Sequence, residues 1–193
     1  ICGKIKKSII FAPETACVIM DNRVFKRKIY ERIRQWKQES NGESALMIQG
    51  ARRIGKSTIV EEFARNEYSS YLIIDFNKTS EFVKSLFDDL MDLDFIFLQL
   101  QTIYKVVLKK RKSVIIFDEV QKCPNARQAI KYLVQDGRYD YIETGSLISI
   151  RQNTKDITIP SEEEQINMYP MDFEEFLWAL GDQVSIPLIK TFY

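Results

Sequence analysis

The 193-residue sequence contains no histidine and only three cysteines. The absence of histidine excludes Ser-His-Asp and Cys-His catalysis within this chain, together with every histidine-containing metal site. Cys2, Cys17 and Cys123 are widely separated and form no C-x-x-C pair, so they indicate neither a zinc site nor a disulfide framework. Cys123 lies beside Pro124, and we interpret it as a packed side chain rather than a nucleophile.

Long apolar runs and a strong charge of one sign are also missing. The apolar run Ile9–Ala12 is too short for a membrane span or the core of a signal peptide, so we expect no membrane partner and a location in the reducing cytoplasm. The formal net charge of +1 gives no whole-chain field for or against nucleic acid. Glycine and proline are scarce and 45% of residues are hydrophobic, which favours a folded chain of one α/β domain.

The most informative stretch is a glycine-bounded loop, Gly50–Thr58, between a predicted buried strand, Ala45–Gln49, and a helical pattern that begins at Ile59. This context is the one that the phosphate-binding (Walker A) pattern G-x-x-x-x-G-K-[ST] requires. We therefore expect this P-loop to bind nucleotide. The residues assigned to it are Gly50, Ala51, Arg52, Arg53, Ile54, Gly55, Lys56, Ser57 and Thr58.

The residue types in the loop suit the dense negative charge of a triphosphate. Gly50 and Gly55 permit positive φ and close backbone approach, so that successive N–H groups can point at phosphates. The first turn of the following helix adds more N–H groups and the positive end of its dipole. Lys56 is predicted to reach the β- and γ-phosphates, and Ser57 is predicted to offer its hydroxyl oxygen to Mg²⁺.

A second stretch, Ser113–Glu119, places two carboxylates after four consecutive apolar residues. The apolar run predicts a strand covered on both faces, as in a parallel sheet, and its end lies where such sheets bind ligands. In this Walker B position, Asp118 is predicted to hold Mg²⁺, and Glu119 to orient and polarise an attacking water. A glutamate next to the aspartate favours hydrolysis over phosphoryl transfer to a small substrate.

The next predicted strand, Tyr139–Glu143, ends in Thr144-Gly145-Ser146. A hydroxyl at Thr144 or Ser146 is a candidate contact of the γ-phosphate or of the attacking water. A plain glycine turn is the alternative for this tripeptide.

The remaining segments predict further helices and strands. An amphipathic helix is predicted from Val24 to about Glu39, with a basic, solvated face and a start that borders the nucleotide base. Another helix is predicted over 94–108, strands over 157–159 and 166–169, and a helix capped by Asp172 with Glu175. The acidic run Ser161–Glu164 is expected to be exposed. The basic residues assigned to the solvated face are Arg23, Lys26, Arg27, Lys28 and Arg32.

We expect residues 1–22 to form an N-terminal tail or extension, residues 23–181 the P-loop core, and residues 182–193 the start of a truncated continuation. Met20 is a candidate natural start.

Four strings, GARRIGKST, VIIFDEVQKCP, TGS and YPMDFEEFL, carry a resemblance that extends from Arg23 to Gly181. The chain resembles the AAA+ ATPases of bacteria and archaea whose P-loop core is usually followed by a restriction-endonuclease-like domain. The second and fourth strings are more specific to that family than the P-loop. Neither a helical lid nor the nuclease-like domain is visible in this sequence.

The resemblance implies an α/β P-loop NTPase fold, with a five-stranded parallel sheet, a central P-loop strand and helices on both faces. It also implies ATP as the nucleotide, Mg²⁺ as its metal, the roles given above for Lys56, Ser57, Asp118 and Glu119, and a polar sensor at Thr144 or Ser146. Many relatives carry a Gly-Arg pair before the YP motif, where this chain has Ser161-Glu162-Glu163-Glu164-Gln165, so no arginine finger can be assigned there. Because an arginine finger is worth about 10³–10⁵ in rate, we expect ATP binding with slow turnover.

Three functions follow as hypotheses. The first is a Mg²⁺-dependent ATPase core that drives an unknown protein client through missing domains. The second is an ATP-gated interaction switch with little hydrolysis. The third is a nucleic-acid-handling motor subunit, which the basic residues permit but the near-zero net charge supports weakly. AAA+ relatives often form rings, so a homo-oligomer is a further option.

Overall fold

The computed structural model describes residues 24–146, 162–182 and 184–192, and within these ranges one five-stranded sheet has the order β2-β3-β4-β1-β5. Every neighbouring pair is parallel. The strands are β1 (Ala45–Gly50), β2 (Ser70–Asp75), β3 (Ser113–Asp118), β4 (Asp140–Ser146) and β5 (Glu163–Met168). The helices are α1 (Ile29–Ser40), α2 (Lys56–Glu67), α3 (Glu81–Ser85), α4 (Leu93–Tyr104), a 3₁₀ turn (Val120–Lys122), α5 (Pro124–Asp136), α6 (Phe173–Ala179) and α7 (Ser185–Phe192).

The sheet is covered on both faces, which explains the continuous apolar runs of its strands. On one face, α1 and α2 pack over β1, β3 and β4, with Ile33, Trp36 and Phe63 fully buried. On the other face, α3, α4 and α5 cover Met47 and Phe117. β3 is buried along its whole length. The predicted α/β fold with a five-stranded parallel sheet and helices on both faces is therefore confirmed.

The position of the P-loop strand differs from what the resemblance implied. β1 is an interior strand between β4 and β5, but the middle position belongs to β4. The reason is that only β5 lies beyond β1 on that side of the sheet, where it pairs with residues Ala45–Gly50. The phosphate loop, which is the P-loop Gly50–Thr58, consequently leaves the sheet close to the edge strand β5.

Several predicted boundaries were wrong. The first helix begins at Ile29 instead of Val24, because the preceding residues 24–27 are not helical. α4 ends at Tyr104, four residues before the predicted end, where Lys105 takes a left-handed conformation with φ 53°. Near the C-terminal side, Asp172 and Glu175 form the predicted capping box of α6.

The acidic run Ser161–Glu164 is exposed only in part: Glu164 is exposed as predicted, Glu162 is half-buried, and Ser161 lies outside the described residues. β5 begins at Glu163, three residues earlier than predicted, and the side chain of Glu163 is fully buried beside Arg127 of α5. Arg127 Nη2 lies 3.0 Å from Glu163 Oε1. Because Glu163 is paired in register with Ala45 and an arginine is available on α5, the carboxylate is buried as an ion pair. The predicted strand at 157–159 and the tail at 1–22 lie outside the described residues.

None of the helices in the described ranges combines the length and apolarity needed to cross a bilayer.

Candidate functional site

The predicted site residues converge at one edge of the sheet, where β1, β3 and β4 end. Parallel strands bring their carboxyl ends to the same edge. Gly50 at the end of β1 is in register with Ser146 at the end of β4, and Asp118 ends β3. The phosphate loop starts at Gly50 and runs directly into α2 at Lys56.

The two loop glycines are needed for different reasons. Gly55 has φ 92°, in the left-handed region that glycine adopts without strain. Gly50 does not have a positive φ; a side chain there would place its Cβ 2.3 Å from the carbonyl oxygen of Met168 in β5. Arg53 also has a positive φ, 62°, which is uncommon for a residue with a side chain.

The Lys56 side chain folds back over the loop that precedes it. Its Nζ donates to the carbonyl oxygen of Ala51 at 2.8 Å and to that of Gly50 at 3.3 Å. Burial lowers the pKa of the Lys56 amine, while the nearby carboxylates of Glu119 and Asp118 raise it in partial opposition. The ammonium therefore sits at the loop with two acidic side chains close to it.

Three hydroxyl and carboxylate groups meet at the end of β3. Ser57 Oγ donates to Asp118 Oδ1 at 2.7 Å, and Thr144 Oγ1 donates to the same oxygen. The backbone N–H of Glu119 in turn donates to Thr144 Oγ1 at 3.2 Å. The structure thus brings together the two predicted magnesium ligands and one of the two candidate sensors. The other candidate, Ser146, is buried at the base of the loop, beside Gly50.

Glu119 leaves β3 in a strained conformation that turns the chain. Its φ of 55° and ψ of 47° are left-handed, and it precedes the 3₁₀ turn at Val120. The buried side chain of Gln121 donates from Nε2 to Glu119 Oε2 at 2.5 Å. Gln121 was not among the predicted site residues, although it lies in the DEVQ string that carried the family resemblance.

Arg27 is a second residue that the sequence prediction missed. It was placed on a solvated helix face, but it precedes the helix and is only 8% exposed. Its Nη1 donates to the carbonyl oxygen of Ile54 in the phosphate loop at 3.0 Å. One signal in the sequence pointed to this segment, which was the prediction that the start of the helix borders the nucleotide base. No signal in the sequence pointed to Arg27 itself.

A cavity of about 310 Å³ lies beside the phosphate loop. The segment before α1 forms one of its walls, α2 and the loop form others, and the chain after β5 contributes a methionine. The described residues that line it are Val24, Phe25, Arg27, Arg53, Ile54, Gly55, Thr58, Ile59 and Met171. The segment around Val24, which the sequence predicted to border a nucleotide base, lines this cavity.

The loop, hydroxyls and carboxylates are a set of groups suited to phosphate and a hard cation. Within the described ranges, no group of three or more Cys, Asp and Glu side chains is arranged to hold a metal alone. Ser57 and Asp118 supply a hydroxyl and a carboxylate oxygen, the ligand types that Mg²⁺ prefers when phosphate and water complete its shell. The residues present therefore fit a magnesium nucleotide.

Comparison with known proteins gives a family and similar solved structures. No curated protein matches the chain in sequence. Among solved structures, C. elegans PCH-2 is similar, with 13% sequence identity and a TM-score of 0.43, over 90% of this chain and 50% of that one. This chain thus spans half the length of that protein. Residues 42–177 match the family described as AAA domain, which is most of the chain. The chain therefore belongs to the AAA family of P-loop ATPases.

Proposed function

We propose that this chain binds ATP with Mg²⁺ and hydrolyses it. The observation that carries the proposal is the contact between Ser57 and Asp118, whose oxygens lie 2.7 Å apart at the mouth of the phosphate loop. These are the two side chains that hold magnesium in P-loop NTPases, one on the loop helix and one at the end of a neighbouring strand. Their proximity supports a metal site that needs only the nucleotide's oxygens and water to complete it.

Lys56 has the reach to exchange partners when a nucleotide enters. The carbonyl oxygens of Gly50 and Ala51 are neutral, whereas phosphate oxygens carry negative charge and therefore attract the ammonium more strongly. Gly55 and the first turn of α2 supply backbone N–H groups for the same phosphates.

Glu119 is the group we assign to water activation. Ser57 and Asp118 would hold Mg²⁺, and the ion would neutralise charge on the phosphate oxygens. Gln121 occupies Oε2 of Glu119, which leaves Oε1 as the oxygen that orients a water and accepts its proton. Thr144 Oγ1 accepts from the backbone N–H of Glu119 and donates to the carboxylate of Asp118. The residue that orients the water and the residue that holds the metal are therefore joined through Thr144.

The cavity next to the loop is the proposed site of the base. Among the described residues that line it, no side chain carries a carboxylate or an amide, the groups that would accept from guanine. Val24, Phe25 and Met171 instead offer apolar contact area for a purine ring. This supports ATP as the nucleotide, which the family resemblance also implies.

The first test is the melting temperature with Mg-ATP and with Mg-GTP. Ligand at a hundred times its Kd stabilises a protein by about 2.7 kcal/mol, which is a rise of roughly 5–10 °C in a domain of this size. Lys56→Ala is the control that should lose the rise, with circular dichroism to show that it folds. No rise with either nucleotide would contradict the proposal.

The interaction switch with little hydrolysis stays as the second candidate because Gln121 already occupies one of the two oxygens of the Glu119 carboxylate. Glu119→Gln separates the two candidates. It should abolish turnover and leave ATP binding intact, and biological output should survive only if the chain acts as a switch. A protein client, homo-oligomerisation, a cytoplasmic location and the motor-subunit hypothesis stay predictions, as does kinship with the relatives that carry a nuclease-like domain.

A further inference from the structure

Arg27 connects three separate parts of the chain. Its Nη1 donates to the carbonyl oxygen of Ile54 at 3.0 Å, and its Nη2 donates to that of Tyr169, just after β5, at 2.6 Å. Its Nε lies 3.2 Å from Oε2 of Glu175 in α6. The guanidinium is therefore fixed by the phosphate loop, by the end of the edge strand and by a C-terminal helix at the same time.

The contact with Ile54 determines where the next peptide N–H points. The peptide bond is planar and trans, so the carbonyl of Ile54 and the N–H of Gly55 point in opposite directions. Because Arg27 binds the carbonyl, the Gly55 N–H is directed away from Arg27. Gly55 has φ 92° and starts the helix that is proposed to hold the phosphates, and this orientation of its N–H is one of the features that such a loop needs.

Glu175, which pairs with Arg27, is buried and accepts two hydrogen bonds from the backbone. It is 5% exposed; its Oε1 accepts from the backbone N–H of Lys28 at 2.7 Å, and its Oε2 accepts from that of Asp172 at 3.2 Å. A buried guanidinium is costly without a charged partner, so the placement of Arg27 depends on this carboxylate. The loop conformation is consequently linked to α6, which lies more than a hundred residues away in sequence.

We propose that Arg27 and Glu175 form a clamp that positions the phosphate-binding loop, and that α6 thereby helps to set the affinity for nucleotide. Both are positioning residues in this proposal, since they act through the Ile54 carbonyl. The proposal rests on the proposed function, because it concerns the affinity of the same loop. It also gives Glu175, the second glutamate of the YPMDFEEFL string, a physical role beyond capping its own helix.

The test compares Glu175→Gln with Glu174→Gln. Glutamine at 175 keeps one of the two acceptor oxygens, replaces the other by an NH₂ donor and removes the charge that faces Arg27. Glutamine at 174 makes the same charge change on the same helix, but its ion pair is with Lys28. By calorimetry with Mg-ATP and Mg-ADP, we expect Kd to rise on the order of tenfold for Glu175→Gln and to stay within twofold for Glu174→Gln.

Two further measurements separate positioning from loss of folding. The ¹H–¹⁵N resonance of Gly55, recorded without nucleotide, should shift in Glu175→Gln and not in Glu174→Gln. Arg27→Lys should fold and weaken nucleotide binding as well, because an ammonium lacks the planar fork that reaches separate acceptors. If Glu175→Gln does not fold, the nucleotide Kd and the Gly55 resonance of Arg27→Lys test the clamp in its place.

Equal Kd values for the two glutamine variants, in a protein that binds ATP, would overturn the clamp and leave the proposed function standing. If the wild-type chain binds no nucleotide, the proposed function fails, and the Gly55 resonance alone decides the clamp. An unchanged resonance in both Glu175→Gln and Arg27→Lys would then overturn it.

Discussion

Arg27 and Arg127 are both buried and both paired with a glutamate, yet they use their donors differently. Arg27, at the phosphate-loop edge of the sheet, binds two backbone carbonyls besides Glu175. Arg127, on α5, directs only Nη2 at Glu163, at 3.0 and 3.1 Å from its two oxygens. Among the described residues, Nε and Nη1 of Arg127 have no hydrogen-bond partner, whereas at Arg27 only Nε has none and it still lies 3.2 Å from Oε2 of Glu175. The first arginine fixes backbone from distant segments, whereas the second mainly neutralises charge.

The cluster around Arg127 contains one more acid than it has bases. Glu143 of β4 is completely buried, and neither of its oxygens has a hydrogen-bond partner among the described residues. Burial and then the neighbouring Glu163 carboxylate raise the pKa of Glu143 well above its ordinary value, against the lowering effect of Arg127. The buried surroundings of Glu143 thus favour its neutral, protonated form over the carboxylate. The Arg27 guanidinium is surrounded by two carbonyl oxygens and a carboxylate, whereas the surroundings of Glu143 favour a neutral acid.

The substitution expected to change the free energy of unfolding most is Arg127→Met. Removing one partner of a buried ion pair leaves an uncompensated charge and costs about 3–5 kcal/mol. Glu163 is in register with Ala45, at the opposite end of β1 from the phosphate loop, so the nucleotide Kd of the folded protein should not change. Urea unfolding and calorimetry measure the two quantities. A loss of nucleotide affinity comparable to that of Arg27→Lys would contradict this separation.

The next effect is a pH dependence that Glu143→Gln should remove. The folded-state pKa of Glu143 is raised, so the folded protein holds a proton that the unfolded chain releases. The resulting stability is fully present below the unfolded-state pKa of glutamate, about 4.3, and is lost as the pH rises through the folded-state pKa. Each pKa unit between the two states is worth about 1.4 kcal/mol.

Free energies of unfolding from pH 4 to pH 9 should therefore fall more steeply for wild type than for Glu143→Gln. Glu164→Gln, an exposed neighbour of Glu163 in sequence, is the matched control and should follow wild type. Parallel curves for wild type and Glu143→Gln would show that Glu143 is not linked to folding.

The smallest effect is expected for an exposed arginine. Arg34 of α1 lies 3.8 Å from Glu31, and the two side chains are 51% and 73% exposed. Water screens such a pair, and Arg34→Gln should change the free energy of unfolding by less than about 0.5 kcal/mol. A change of 2 kcal/mol or more would mean that exposure does not explain the contrast with Arg127.

The sequence by itself determined the parts of this protein that depend on local pattern. The phosphate loop, the buried strand that ends in Asp118, and the strand that contains Thr144 follow from residue types and spacing over fewer than ten residues each. Because parallel strands end at a common edge, their meeting point could also be predicted. The capping box of Asp172 and Glu175 is a local signal of the same kind.

Only the tertiary structure decided which charged side chains are buried. Arg27 meets the carbonyl of Tyr169, 142 residues further along the chain, and Arg127 meets a carboxylate of an acidic run that the sequence placed in solvent. Periodicity reports which side of an element is apolar, but it carries no information about a partner brought close by the fold. Burial of a charge depends on that partner, because the cost of desolvation is offset only where the opposite charge or a carbonyl arrives.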